Sequence, residues 1–259
     1  ETKNILNIYI LKIFIFCLMI LGLGFFVGST NGVNFNSFTV FNKSLYVLCV
    51  CFFILILCFT LGCFPFHTWV PVLNENINES NLFSYYVIEK NILTWSLMLV
   101  LQVLLPKLNG YYGDIIIDCV KFFAITTTFY GVLVACHQTN LKLILSFFSV
   151  GNAGFILLYA VTPTVTEMNE QFLLYLFFYS LIFTLNIHLI NLNKNEINDL
   201  KDLTFLFQRR PKFASALFIS LFLYFSSIIT SGLILNFKFF MTAYSEQLYF
   251  ELILIVCIN

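Results

Sequence analysis

The 259 residues of this chain are 60% hydrophobic and only 10% charged, with 33 phenylalanines and a formal net charge of zero. Soluble domains average about 25% charged residues, so this composition excludes an ordinary soluble domain and predicts an all-α, polytopic bundle of transmembrane helices. The zero net charge argues against a nucleic-acid partner, and the eight cysteines form no CxxC pair that would indicate a metal or iron-sulfur site.

Apolar windows close to the length of a spanning helix predict seven spans and a truncated eighth. In chain order they are Ile8 to Val27, Leu45 to Phe66, Leu82 to Leu105, Ile115 to Cys136, Leu141 to Val161, Phe172 to Leu192, Phe213 to Tyr244 and Phe250 to Ile258. The seventh window is too long for one straight helix, and we expect it to break near Thr230 and Gly232. The segment from Lys194 to Lys212 has mixed charge and is predicted to be a solvated loop.

Basic residues are distributed unevenly between the two sides of the membrane. If the spans alternate, Lys3 and the basic residues from Lys194 to Lys212 lie on one side, and only Lys43 and Lys107 lie in loops on the other. The positive-inside bias therefore assigns the first side to the cytoplasm or the matrix.

The second span ends in a segment that contains Pro65, His67 and Pro71. Proline removes a backbone donor and clashes with the preceding helical turn, so we expect the helix to break here. Hydrocarbon cannot satisfy the exposed backbone groups of a broken helix, which must therefore contact protein or water. Together with the break expected near Gly232, this pattern is typical of secondary transporters with internal repeats.

Lys90 lies midway along an apolar run, roughly 12 Å inside it at about 1.5 Å per residue. A lysine at the centre of a membrane helix costs about 2.5 to 3.5 kcal/mol, so it is retained mainly beside a cavity, a partner charge or a proton path. Removal from water disfavours the charged form, which allows proton exchange. We predict that Lys90 carries protons, with a structural ion pair as the alternative. Its partner is expected on another helix, because the adjacent Glu89 does not face it.

Other polar residues are weaker candidates. Lys142 lies one residue inside its helix and is more simply expected to extend to the membrane interface. His188 could carry a proton near neutral pH, but it lies four residues from a polar loop and is interpreted as interfacial. For Glu89 the structural and functional interpretations are balanced. His67 is expected to donate a stabilising hydrogen bond near the water boundary.

No Gly-rich phosphate loop, metal-spaced His or Cys cluster, or nucleophile motif is present in the sequence. We therefore expect no catalytic centre and no metal site on this chain.

Four stretches together resemble one family, the antiporter-like membrane subunits of NADH:quinone oxidoreductase (respiratory complex I), and within it the subunit 2 group. The segment from Pro65 to Pro71 is similar to the family's Pro-Phe-His-x-Trp-x-Pro. The others are Lys90 with Thr94-Trp95, the run Gln138-Thr139-Asn140-Leu141-Lys142, and Lys238-Phe239-Phe240. Their order and spacing match the family.

The resemblance implies an antiporter-like core with two discontinuous helices, in which residues 1–259 form a single transmembrane domain. This domain would correspond to helices six to thirteen of fourteen, with both ends incomplete. The mitochondrial inner membrane is the implied location, with the Lys194 to Lys212 loop on the matrix side.

Several site residues are implied by the resemblance. Lys90 would be the central proton carrier and Lys238 an exit-side or linking carrier, with Glu89, Lys142 and His188 as lesser members. Thr60 stands where the family has a lysine, so one proton-carrying position is lost. Pro65, His67, Pro71 and Gly232 mark the helix breaks.

The implied function is proton translocation coupled to quinone reduction, as a non-redox subunit of NADH:ubiquinone reductase. NADH, flavin, iron-sulfur clusters and ubiquinone are expected on other subunits, and no cofactor is expected on this chain. The expected partners are the other membrane-arm subunits, lipids, and a separate polypeptide that supplies the upstream helices if the gene is split. The alternatives are a cation/proton antiporter subunit, or a structural subunit whose path is lost, as Thr60 suggests.

Overall fold

The computed structural model describes residues 2–30, 40–76, 83–108, 111–161, 166–192, 199–200 and 202–225. Nearly all of them are helical. The α-helices are α1 (Thr2–Ser29), α2 (Lys43–Leu61), α3 (Trp69–Asn76), α4 (Asn91–Leu104), α5 (Tyr111–Cys136), α6 (Leu141–Val161), α7 (Thr166–Leu192), α8 (Asp202–Arg209) and α9 (Pro211–Phe225). A π-helix, Ser84–Lys90, directly precedes α4, and a 3₁₀ turn, Leu105–Lys107, follows it.

Six helices in the described part of the chain are long and apolar enough to cross a membrane. They correspond to the first six predicted spans, so the all-α transmembrane fold is confirmed. The fifth, α6, begins and ends at the predicted residues, Leu141 and Val161. The last part of the seventh span and the whole of the eighth, with the expected break at Gly232 and the candidate Lys238, lie outside the described residues.

The first predicted break is confirmed, but α2 ends at Leu61 and not at Phe66. Gly62 adopts a left-handed conformation with φ of 76°, and its N–H bonds to the carbonyls of Cys58 and Phe59. A Cβ at this position would lie 2.4 Å from Cγ2 of Val70, so the close approach of α3 also requires glycine. The helix restarts at Trp69, which places Pro71 in the first turn, where its missing N–H is tolerated.

The expectation of a loop throughout Lys194 to Lys212 is wrong for part of that segment, because Asp202–Arg209 forms α8. Asp202 lies in the first turn, where its carboxylate accepts a bond from the N–H of Asp199 at 2.9 Å, and Arg209 lies in the last. These charges complement the helix dipole, and Leu206 is buried. The short helix is therefore stabilised at both ends and by one apolar contact.

The chain divides into two compact units whose segments alternate along the sequence. Unit 1 comprises Glu1–Ile77, Ile92–Val134 and Ser146–Pro163. Unit 2 comprises Asn78–Asn91, Ala135–Leu145 and Thr164–Asn259. The break at Pro65 to Pro71 therefore belongs to unit 1, whereas Lys90, Lys142 and His188 belong to unit 2.

Within unit 1, α5 and α6 approach until their backbones touch. A Cβ on Gly131 would lie 2.4 Å from the backbone nitrogen of Gly151, and one on Gly154 would lie 2.5 Å from the carbonyl oxygen of Ala124. Small residues at a crossing are typical of membrane helices, where close packing takes over from the hydrophobic effect. The crossing leaves Thr127 of α5 bonded to the backbone N–H of Phe64, at 3.2 Å, in the helix break.

Candidate functional site

Lys90 is the last residue of the π-helix and is half-buried. Its Nζ lies 5.0 Å from the ring centroid of Tyr86, one turn earlier on the same helix. A cation over an aromatic face gains about 0.5 to 2 kcal/mol, more as water is removed. One contact of this ammonium therefore comes from its own helix. The expected partner on another helix stays a prediction, and the neighbouring Glu89 is exposed.

Asn91 follows Lys90 and connects this region to α7. Its Nδ2 donates to Oγ of Ser180 at 2.7 Å and to the carbonyl of Val87 at 3.1 Å. Ser180 Oγ in turn donates to the carbonyl of Phe177 at 2.8 Å. The position of the lysine relative to α7 is therefore fixed by an amide beside it. Sequence inspection did not single out Asn91, because an asparagine at a helix junction has no distinctive spacing.

The side chain of Lys142 is buried among protein groups, with 8% of its surface exposed, and its expected extension to the membrane interface stays a prediction. Its Nζ donates to Oδ1 of Asn191, near the end of α7. Asn140 caps the start of α6 by accepting the backbone N–H of Lys142 at 2.9 Å. A buried ammonium is tolerated only with a polar partner, and Asn191 supplies one.

Two tyrosine hydroxyls, here called the tyrosine pair, join α7 to α9 inside unit 2. The hydroxyl oxygens of Tyr179 and Tyr224 are 2.7 Å apart. Tyr224 also lies 3.3 Å from the carbonyl of Leu145, to which it donates. Because a phenol has one hydrogen, Tyr179 must then donate to Tyr224, which gives a directed chain of two bonds. Leu145 is three residues beyond Lys142 on α6, so this chain ends one helical turn from residue 142 along the backbone.

A series of aromatic ring contacts extends from the tyrosine pair to Tyr86, whose ring contacts the Lys90 ammonium. The ring of Tyr224 lies 5.3 Å from that of Tyr179 and 5.7 Å from that of Phe183. Phe183 lies 4.7 Å from Tyr86, whose face carries the Lys90 ammonium. Tyr175, Tyr179 and Phe183 are spaced by four residues and share one face of α7, a pattern that could have revealed this interface in the sequence.

A second polar contact joins the same two helices. Asn186 Nδ2 donates to the carbonyl of Ser220 at 3.1 Å, and Ser220 Oγ donates to Asn186 Oδ1 at 2.8 Å. Both residues are buried. His188 lies apart from this contact: its side chain is exposed, and it lines a mainly apolar cavity of about 850 Å³ with Phe178 and Leu185. The interfacial position expected for His188 stays a prediction.

The candidates in unit 1 have different surroundings. Thr60 is 2% exposed, and its hydroxyl donates to the carbonyl of Leu57 in its own helix at 2.9 Å. The side chain of His67 is 8% exposed, and its ring lies 4.5 Å from Tyr130 and 5.8 Å from Phe64. Its expected position near the water boundary stays a prediction. Burial lowers the pKa of His67, and a hydrogen bond to the Pro65 backbone opposes this only in part. The imidazole is therefore neutral at pH 7.

No group of three or more His, Cys, Asp or Glu side chains lies together in the described ranges of the chain. The chemistry that these residues support is therefore acid–base chemistry of lysine, tyrosine and amide groups. Water completes hydrogen-bond chains of this kind in membrane interiors.

Comparison with known proteins identifies relatives of this chain. The model of a family described as NADH:quinone oxidoreductase/Mrp antiporter, TM matches residues 6–259. The chain is 27% identical to NADH-quinone oxidoreductase subunit N of Bdellovibrio bacteriovorus, across 83% of this chain and 46% of the relative. It is 29% identical to subunit N 1 of Herpetosiphon aurantiacus, across 76% of this chain and 40% of the relative. The chain thus spans less than half the length of these relatives.

Solved structures show the same fold. A chain of respiratory complex I from Thermus thermophilus matches 99% of this chain with 56% of its own length, at a TM-score of 0.69 and 18% identity. A chain of the membrane-bound sulfane sulfur reductase, an archaeal respiratory membrane complex, matches 99% with 53% of its own length, at a TM-score of 0.78 and 14% identity.

Proposed function

The chain belongs to the NADH:quinone oxidoreductase/Mrp antiporter membrane family, and we propose that it is a proton-translocating membrane subunit of a respiratory NADH:quinone oxidoreductase. The observation that supports this best is a line of buried contacts in unit 2, made by Tyr86, Phe183 and the tyrosine pair, that connects the Lys90 region to the Lys142 region. Charged residues inside a membrane helix are costly, so two of them connected by one line of contacts favour a transport role.

The partners of the two lysines suggest how each one handles a proton. Lys142 bonds to the neutral amide of Asn191, which stabilises the ammonium without cancelling its charge. Lys90 lies over a neutral ring, with the same result. Like charges repel each other in a low-dielectric interior, so a proton arriving at one lysine favours release from the other.

In this proposal the chain carries no redox centre. NADH, flavin, iron-sulfur clusters and ubiquinone reside on other subunits, and this chain contributes one proton path within the membrane arm. Its partners are the neighbouring membrane-arm subunits and lipids. The enzyme activity belongs to the assembled NADH:quinone oxidoreductase.

We propose the mitochondrial inner membrane as the location, and subunit 2 as the counterpart among mitochondrial proteins. The relatives above are bacterial. Support for an organellar gene comes from composition, because an excess of phenylalanine, isoleucine and asparagine is typical of AT-rich genomes. The charge distribution supports a matrix location for the basic segment from Lys194 to Lys212.

The substitution Lys90→Met tests the function in the assembled complex. It keeps the length and apolar stem of the side chain and removes the exchangeable proton, so we expect fewer protons translocated per electron while quinone reduction and assembly continue. The measurement is proton uptake into sealed vesicles with NADH as donor. Lys121→Met is the matched control, because Lys121 is also half-buried in a spanning helix and belongs to unit 1. An unchanged ratio in the Lys90 variant would remove the case for this path.

The family description also covers Mrp antiporters, which makes a cation/proton antiporter subunit the second candidate. Such a protein would exchange sodium for protons in vesicles without NADH. Sodium-dependent proton movement in the absence of an electron donor would favour it over the first candidate.

A further inference from the structure

The tyrosine pair has a geometry that goes beyond helix packing. Tyr224 is bonded on both sides, to the Tyr179 hydroxyl at 2.7 Å and to the Leu145 carbonyl at 3.3 Å. Both tyrosines are buried, at 9% and 3% exposure for Tyr179 and Tyr224. A phenol oxygen can accept a proton while it releases its own, so two phenols that are bonded to each other can pass a proton on. A backbone carbonyl has no hydrogen to release, so a phenol bonded only to a carbonyl cannot do this.

The pair also lies between the two candidate carriers. On one side, the Leu145 carbonyl is one turn from Lys142. On the other side, the ring of Tyr224 lies 5.7 Å from that of Phe183, and Phe183 lies 4.7 Å from Tyr86 beneath the Lys90 ammonium. The two hydroxyls are the polar part of this line.

We propose that the tyrosine pair is a proton-transfer step between Lys90 and Lys142, with water molecules as the donor and acceptor on either side; this proposal rests on the proposed function. For transfer towards Lys142, a proton arrives from water at the Tyr179 oxygen. The hydrogen of Tyr179 then moves to the Tyr224 oxygen, and the hydrogen of Tyr224 leaves to water near the Leu145 carbonyl. Each oxygen forms one O–H bond and breaks one, no electron moves, and both phenols end neutral.

The step also imposes an order on transport. After one proton passes, both hydroxyl hydrogens point back along the line, and each must rotate before another proton can follow in the same direction. A pair of hydroxyls therefore passes protons one at a time.

Tyr46 provides a matched control in unit 1. Its hydroxyl donates to the Leu104 carbonyl at 2.7 Å, and it is as deeply buried as the tyrosine pair. Tyr46→Phe therefore removes a buried phenol and one backbone hydrogen bond, as Tyr224→Phe does, but leaves the tyrosine pair intact. Loss of one hydrogen bond from a buried hydroxyl is therefore expected to affect assembly similarly in either place.

The test compares Tyr179→Phe, Tyr224→Phe, the double variant and Tyr46→Phe in the assembled complex. The readouts are quinone reduction, protons translocated per electron, and the solvent deuterium isotope effect on translocation. Because a positioned proton-transfer group contributes about 10²- to 10⁴-fold, we expect either single variant to slow translocation by about tenfold or more while Tyr46→Phe has no effect. The double variant should be no slower than the singles, since both hydroxyls serve one step.

The outcomes separate this proposal from the proposed function. If Lys90→Met lowers the proton ratio and Tyr224→Phe leaves both rate and isotope effect unchanged, the relay is wrong and the function stands. If neither variant changes translocation, the proposed function fails as well. Should Tyr224→Phe prevent assembly, Tyr179→Phe decides, because it keeps the bond from Tyr224 to Leu145; normal translocation in that variant would overturn the relay.

Discussion

The helix break of unit 1 and the line of contacts from Lys90 to Lys142 in unit 2, here called the lysine line, use their polar groups in different ways. At the break, the N–H groups of Gly62 and Phe64 bond to carbonyls of α2 and to Thr127, and Thr60 bonds to its own helix. The His67 ring lies among Phe64, Tyr130 and Phe147. In the described part of unit 2, polar side chains of neighbouring helices bond to one another.

The difference follows from what each backbone requires. A broken membrane helix must satisfy its free N–H and C=O groups internally, so nearby hydroxyls are used for structure. A continuous helix satisfies its own backbone, which leaves side chains such as Lys142 and Tyr224 available for transfer. We infer that in this chain the break is structural and the lysine line is functional.

The largest expected effect comes from restoring the lysine that the family resemblance places at position 60. Thr60→Lys would bury an ammonium in a site with 2% exposure, at a cost of several kcal/mol, about 3 to 5, if no partner is supplied. We expect less assembled complex and no gain in protons per electron. A well-assembled variant with a higher proton ratio would show that the break does belong to a proton path.

A smaller loss is expected when glycine is replaced at the end of α2. Gly62→Val places a β-branched residue at a φ of 76° and its Cβ 2.4 Å from Val70, which costs about 2 to 3 kcal/mol. Thermal unfolding of the purified complex measures this, with Gly28→Val as a control, since a Cβ at Gly28 meets its nearest atom at 3.9 Å. Equal stability in the two variants would mean that the turn tolerates a side chain.

The smallest effect concerns the pH dependence of the break. Because the pKa of His67 is lowered from its usual 6.5, the fold favours neutral imidazole, so this contribution is complete above pH 6.5 and is lost as the pH falls through the lowered value. His67→Phe keeps the ring contacts and removes the titration. We expect the wild-type protein to lose slightly more stability than the variant between pH 7.5 and 5.5. A wild-type protein that gains stability on acidification relative to the variant would contradict a neutral, buried His67.

The sequence predicts features that local chemistry determines. The bounds of α6 follow from an asparagine cap and a mainly apolar run of spanning length, and the break follows from proline. The true end of α2 was missed because the left-handed Gly62 depends on packing against Val70. The short helix α8 was missed because its stability depends on the burial of a single leucine, Leu206.

The site was predicted only in part. Lys90 stands out because a charge within an apolar run is rare, whereas the direction of the Lys142 side chain depends on Asn191, which lies 49 residues away. The tyrosine pair was missed because tyrosine in an apolar run is counted as core. Only the contact between α7 and α9 brings Tyr179 and Tyr224, 45 residues apart, within hydrogen-bond distance.

The central claim is that the lysine line of unit 2, and not the helix break of unit 1, moves the protons. Its most direct test is the number of protons translocated per electron in complexes that carry Lys90→Met or His67→Phe, measured side by side in sealed vesicles. We expect fewer protons per electron for Lys90→Met and the wild-type number for His67→Phe. A wild-type ratio for Lys90→Met with a lowered ratio for His67→Phe would contradict it.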